Sequence, residues 1–89
     1  MSTDQFMPDL NCRWRVTEEG YQIEFDGEYW ELRDVAAAVW SGIVDGQSLQ
    51  QITRELTSKY AAPTEDIASD IRDFVHGLCV DGLVHEESR

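Results

Sequence analysis

His76 and Cys79 stand three residues apart, a spacing that puts two side chains on one face of a helix, and Cys12 and His85 complete the chain's His and Cys. Imidazole and thiolate are zinc ligands, so a shared metal is the first chemistry to weigh. The plainer reading is preferred: Cys79 follows Leu78 as a small core residue, and His76 is a solvated helix side chain. No metal and no cofactor is expected. Asp66 and Asp70, four apart, could serve as general acid and base, but carboxylates without a cleft form a solvated face. The six glycines never assemble the G-x-G-x-x-G or G-x-x-x-x-G-K patterns that wrap phosphates, and no nucleophile is spaced with a base. The expectation is a protein without catalytic residues. Trp14, Trp30 and Trp40 would make a binding cage only by leaving the apolar phase of their own elements. Each keeps that phase, so core packing is expected, with Trp30 partly exposed on an edge strand.

The elements that must position these residues follow from periodicity. Cys12, Trp14 and Val16 alternate with Arg13 and Arg15, then Thr17-Glu18-Glu19-Gly20 makes a turn. Tyr21, Ile23 and Phe25 alternate again, Asp26-Gly27 is a two-residue hairpin signal, and residues 28–32 alternate a third time. At Asp34, an expected N-cap, the period becomes helical, and Val35, Val39, Trp40, Ile43 and Val44 form a stripe that Asp45-Gly46 ends. Ser48 with Gln51 predicts a capping box for a second helix, carried by Leu49, Ile52, Leu56 and Tyr60. Thr64 is expected to cap a third, whose stripe is Ile67, Ile71, Phe74, Val75 and Leu78, ended by Asp81-Gly82. The fold class is therefore α+β: an N-terminal three-stranded antiparallel sheet followed by three helices, resembling a winged helix-turn-helix. Residues 1–10 read as a flexible tail, residues 11–85 as one domain and residues 86–89 as a second tail. Eighty-nine residues enclose one modest core and no more.

Charge narrows the partners. Seven Lys and Arg face eighteen Asp and Glu, a net charge of −11, so the surface repels phosphate backbones and anionic head groups. In a winged-helix DNA reader the third helix would enter the major groove, yet it carries Glu65, Asp66, Asp70, Asp73 and Asp81 against Arg72 alone. No nucleic acid is expected. No window reaches the length of a membrane span and no secretory signal opens the chain, so no membrane partner and a cytoplasmic location are expected, with both thiols reduced. The spread of acids serves solubility or steers a basic peptide. An outer strand of the meander offers backbone groups to an extended guest, and this strand addition is the other use of the same shape.

The run Gly27-x-Tyr29-Trp30-x-Leu32, then Ala36-Ala37-Ala38-Val39-Trp40, Asp45-Gly46 with Ser48-Leu49 and Ile52, and Asp70 through Leu78 with Gly82-Leu83-Val84 resembles the PqqD family. The likeness runs over residues 12–84. That family comprises the pyrroloquinoline quinone biosynthesis chaperone and related recognition elements of ribosomally made, modified peptides. The resemblance implies that a precursor's leader peptide adds a strand beside the third strand and lies against the third helix. Carried onto this chain, the edge is Glu28, Tyr29, Trp30, Glu31 and Leu32, and the wall is Ile67, Asp70, Ile71 and Phe74, flanked by Asp66 and Asp73. By alternation either Tyr29 with Glu31 or Trp30 with Leu32 lines the groove. Relatives often carry Asn where this chain has Arg33. The function implied is a non-catalytic adaptor that delivers a leader peptide, with basic residues, to a modifying enzyme as a monomer or weak homodimer. A DNA-binding regulator and a structural or dimerisation domain are the alternatives.

Overall fold

The computed structural model describes residues 5–61 and 64–87. The order is β1 (Phe6–Pro8), β2 (Arg13–Val16), β3 (Gly20–Phe25), β4 (Glu28–Arg33), α1 (Asp34–Val44), α2 (Leu49–Tyr60), α3 (Thr64–Val80) and β5 (Val84–Glu86). The strands form two antiparallel sheets, β2-β3-β4 and β1-β5. This α+β arrangement contains the expected meander and three helices, with two corrections.

Residues 6–8, expected in a flexible tail, form a strand, and its partner runs through Glu86. The short β1-β5 ribbon escaped periodicity because three residues give alternation no length to register. The ribbon is held by Asp9, whose N–H donates to the Leu83 carbonyl at 2.8 Å and whose carbonyl accepts from Cys12 at 3.0 Å. The meander is thus neither the only sheet nor the first element. Residues 1–4 and 88–89 of the expected tails lie outside the described residues.

The second correction concerns Asp34, which begins α1 rather than capping it. Arg33 is the N-cap, extended at φ −132, ψ 160 and without a side-chain cap bond, while Asp34 sits at φ 52. Asp tolerates that left-handed region better than most residues, so the chain turns sharply from strand into helix here. Ser48 and Gln51 do form the capping box: the Gln51 N–H donates to Ser48 Oγ at 3.1 Å, and the Ser48 N–H donates to Gln51 Oε1 at 3.0 Å. The expected Thr64 side-chain cap lies outside the described residues.

The core gathers Ile23 and Leu32 from the sheet, Val39, Trp40 and Ile43 from α1, Ile52 and Leu56 from α2, and Ile71, Val75 and Leu78 from α3. Each such side chain contributes roughly 1.5–3 kcal/mol by leaving water, so most of each stripe read from the sequence holds its helix to the core, while Val35, Val44 and Tyr60, expected in the stripes, are exposed. Gly20 permits the closest approach: a Cβ there would collide with the Leu32 carbonyl oxygen and stand 2.9 Å from Ala37 Cβ. Cys12 is buried and free, and burial, helped by the Asp9 charge, pushes its thiol up to about 11. A thiol so protonated at neutral pH is a packing group. His85 is engaged by Asp9 Oδ2 at 2.6 Å, while His76 and Cys79 line a cleft with Phe6 and Glu86.

Candidate functional site

The β3-β4 hairpin decides what the outer strand can offer. Asp26 at φ 53 and Gly27 at φ 80 make a two-residue turn with both central φ angles positive, which Asp-Gly adopts readily and which matches the twist of the flanking strands. In such a hairpin the closing pair, Phe25 and Glu28, exchanges backbone hydrogen bonds, and bonded and non-bonded pairs then alternate. With the register Glu24↔Tyr29, Ile23↔Trp30, Gln22↔Glu31 and Tyr21↔Leu32, Trp30 and Leu32 spend their backbone groups on β3. Tyr29 and Glu31 turn theirs outward. The same count works from the other turn, where Thr17 and Gly20 exchange bonds at 2.9 and 3.4 Å. Strand β4 is the end of its sheet, and no described residue pairs with its outer side.

Side chains divide the other way. Cross-strand partners share a face, so Trp30 and Leu32 lie with Ile23 and Tyr21 over the core, and Tyr29 and Glu31 lie with Glu24 and Gln22 on the outer face. Leu32 is buried, Trp30 half-buried and Tyr29 64% exposed. Of the two pairs left open by the sequence, only Trp30 and Leu32 face the core side where α3 packs. Leu32 is already enclosed, leaving Trp30 as the apolar side chain at the rim.

Helix α3 supplies a stripe of its own. Ile67, Asp70 and Phe74 succeed one another at helical spacing beside the buried Ile71 and Leu78. Ile67, Phe74 and Trp30 are all half-buried against the same core. No Cα of α3 comes within 8 Å of one of β4, so the two elements meet only through side chains and the core. A guest strand would lie about 4.8 Å beyond the edge, on the side away from β3.

The acids do not converge as one patch. Asp70 borders the α3 stripe, Asp66 lies further round the helix, and Asp73 lines the cleft of Phe6, Val75, His76 and Glu86. Glu28 and Glu31 are exposed, and Glu31 is engaged by Arg33 at 3.3 Å. Arg33 also reaches Glu19 in the β2-β3 turn at 2.8 Å, so it clasps both hairpins at the base of β4. Sequence reading missed this clasp, although Glu31 and Arg33 sit two apart and therefore on one strand face.

Comparison with known proteins decides the family. The model of the family described as Coenzyme PQQ synthesis protein D (PqqD) matches residues 15–84. The chain belongs to the PqqD family. The PqqA binding protein of Rhizobium meliloti (strain 1021) is 36% identical over 47 residues, 53% of this chain and 48% of that protein. The match thus spans about half the length of that relative. The PqqD part of Methylobacterium extorquens PqqCD, solved by NMR as a stand-alone recognition element for ribosomally made, modified peptides, is 25% identical with a TM-score of 0.75. That likeness covers 96% of this chain and 93% of the solved one. Lasso peptide synthetase B1 complexed with its leader peptide is 29% identical, with a TM-score of 0.83 over 91% of this chain and 98% of that one. TbiB1 in complex with the TbiA(beta) leader peptide matches in fold, at 18% identity and a TM-score of 0.86, over 93% of this chain and 99% of the other.

Proposed function

We propose that this protein is a non-catalytic adaptor that captures the leader of a ribosomally made precursor peptide and delivers it to a modifying enzyme. The observation that carries the reading is the open edge of β4, where Tyr29 and Glu31 turn unpaired N–H and C=O groups outward beside half-buried Trp30. An antiparallel guest that bonds these groups extends the sheet, and its alternate side chains fall between Trp30 and the Ile67, Asp70 and Phe74 stripe of α3. Membership of the PqqD family and the leader-bound neighbours support that use.

The protein contributes proximity: binding leader and enzyme together raises the precursor's effective concentration at the catalyst without any bond chemistry of its own. The sheet and helices serve as a winged-helix-like frame for peptide, and the acids of α3 oppose a use on nucleic acid. No helix among the described residues is long and apolar enough to cross a membrane. Asp70 beside the α3 stripe, and Glu28 on the Trp30 face of β4, favour a leader carrying Lys or Arg.

Calorimetric titration of candidate leader peptides, paired with amide hydrogen exchange, tests the reading. A dissociation constant between roughly 10 nM and 10 μM is expected for so short an added strand. The Tyr29 and Glu31 amides should slow their exchange on binding. Tight binding that leaves both amides exchanging freely would place the peptide elsewhere, and a concentration-dependent dimer with those amides protected before peptide is added would assign the edge to a second copy.

A further inference from the structure

A cleft of about 700 Å³ lies between α2 and α3, lined by Leu49, Thr53, Arg54 and Thr57 on one side and Ile71 and Arg72 on the other. Leu49, Thr53 and Thr57 recur every four residues and present a continuous strip along α2, and the short threonine side chains leave the space between the helices open. Two of the seven basic residues of an acidic protein meet here. Neither Arg54 nor Arg72 is engaged by a carboxylate among the described residues, since the ion pairs are those of Arg33 and His85. The neighbouring Glu55 is drawn away, accepting from Gln47 Nε2 at 3.0 Å. Thr57 Oγ1 is buried without a hydrogen-bond partner, a polar group that a guest can satisfy.

We propose that this cleft docks an acidic, apolar-containing segment of a protein partner, with Arg54 and Arg72 receiving its carboxylates. A guanidinium pair takes carboxylates in planar, bidentate fashion, and Leu49 and Ile71 give the segment an apolar floor. The net charge of −11 does not forbid this, because charges beyond about 8–10 Å are largely screened at physiological salt and the two arginines dominate locally. Helix α3 is then charged differently on its two flanks: Asp70 borders the Ile67 and Phe74 stripe, and Arg72 borders the cleft. A basic leader and an acidic docking segment can occupy opposite flanks of one helix together. That the docking segment belongs to the modifying enzyme rests on the adaptor reading; the chemistry of the cleft does not.

The test follows amide chemical shifts of the whole chain while a short peptide alternating Glu and Leu is added. Shifts at Thr53, Thr57 and Arg72 are expected, with affinity falling roughly tenfold or more in the R54E/R72E double variant and partly in R54Q/R72Q. Both arginines are exposed, and the glutamine variant keeps the polarity of the site, so a circular dichroism melt of each separates folding from docking. No shifts, equal affinity in the double variant, or the same shifts from free glutamate or inorganic phosphate alone would overturn the proposal. Leader titration on the same variants should be unchanged. Failure of that titration in the unaltered protein would count against the adaptor reading and leave the cleft result standing.

Discussion

The three-stranded sheet has two open sides, and they differ in everything but backbone. On β2, Trp14 and Val16 fall in non-bonded pairs with Ile23 and Tyr21, so their N–H and C=O groups point outward as those of Tyr29 and Glu31 do on β4. Yet β2 is four residues long against six, its outer-face side chains are Arg13 and Arg15, and its tryptophan, expected in the core, is 38% exposed and only leans edge-on against Trp40, with ring centroids 5.5 Å apart. Val16 stands 75% exposed. Strand β4 ends its sheet with Trp30 at the rim of the core that Ile67 and Phe74 also flank. On the proposed function, unpaired backbone is necessary for strand addition but does not select the site; the apolar second wall at β4 does.

Proline separates the two sides most sharply, because it removes one N–H and places a ring where a guest strand would lie. Glu31→Pro deletes an outward N–H without breaking the β3 ladder, since Glu31 sits in a non-bonded pair. Leader affinity is expected to fall by roughly 100-fold, about 2.7 kcal/mol, from a lost backbone bond and a steric block together. Val16→Pro does the same to β2 and should leave affinity within about twofold. Calorimetry on both variants checks this, and an equal loss from each would erase the distinction between the edges.

The tryptophans give the next effect. Trp30→Ala should lower leader affinity by roughly tenfold, as loss of an aromatic anchor at an interface does. Trp14→Ala gives up its edge-on packing with Trp40 and should cost roughly 2 kcal/mol of stability with little change in affinity. Urea denaturation alongside titration reads both quantities. A Trp30→Ala variant that is only less stable, and binds as before, would make Trp30 a core residue and nothing more.

Why these residues were legible and others were not has a physical reason. The meander, the Asp26-Gly27 turn and the Ser48–Gln51 box are local patterns, and each is present as the sequence implied. The two-residue turn even carries the phase of the backbone bonds, and hence which groups face outward. Burial chose the facing pair, because only the folded core distinguishes Trp30 and Leu32 from Tyr29 and Glu31. The β1-β5 ribbon pairs residues near the two ends of the sequence, Phe6 with Glu86, and no local pattern announces such a pairing. The α2-α3 cleft likewise depends on how two helices splay. Asp73, which the resemblance sets beside the peptide wall, lines a cleft with Phe6 and Glu86 of the β1-β5 ribbon.

Charge should matter less than either backbone or tryptophan. Asp70→Lys places a cation beside the α3 stripe, and a basic leader should lose roughly two- to fivefold in affinity, the scale of exposed pairs. Glu31→Lys should lose less at the same salt, because Arg33 already engages that carboxylate and it lies on the outer face. Both losses should shrink as salt rises. If Glu31→Lys proved the costlier change, the peptide would be reading the outer face of β4, and the wall assigned to α3 would be wrong.

The smallest effect sits at the root of β2. Asp9 accepts from the Asn11 N–H at 2.8 Å and from His85 at 2.6 Å, and these bonds, His85 first, hold its carboxyl below the ordinary value of 3.8. A carboxylate depressed in the folded state stabilises that state fully above the unfolded value and loses its contribution as pH falls through the lower, folded one. Asp9→Asn should therefore melt slightly lower than the unaltered protein above pH 3.8, and the two melting curves should converge below it. Because Asp9 ties β2 to the β1-β5 ribbon and leaves β4 untouched, leader affinity should not follow that convergence. Melting temperature against pH, with leader titration repeated in Asp9→Asn at neutral pH, reads both; an affinity that tracked the Asp9 bond would mean that the two sides of the sheet are coupled and cannot be weighed separately.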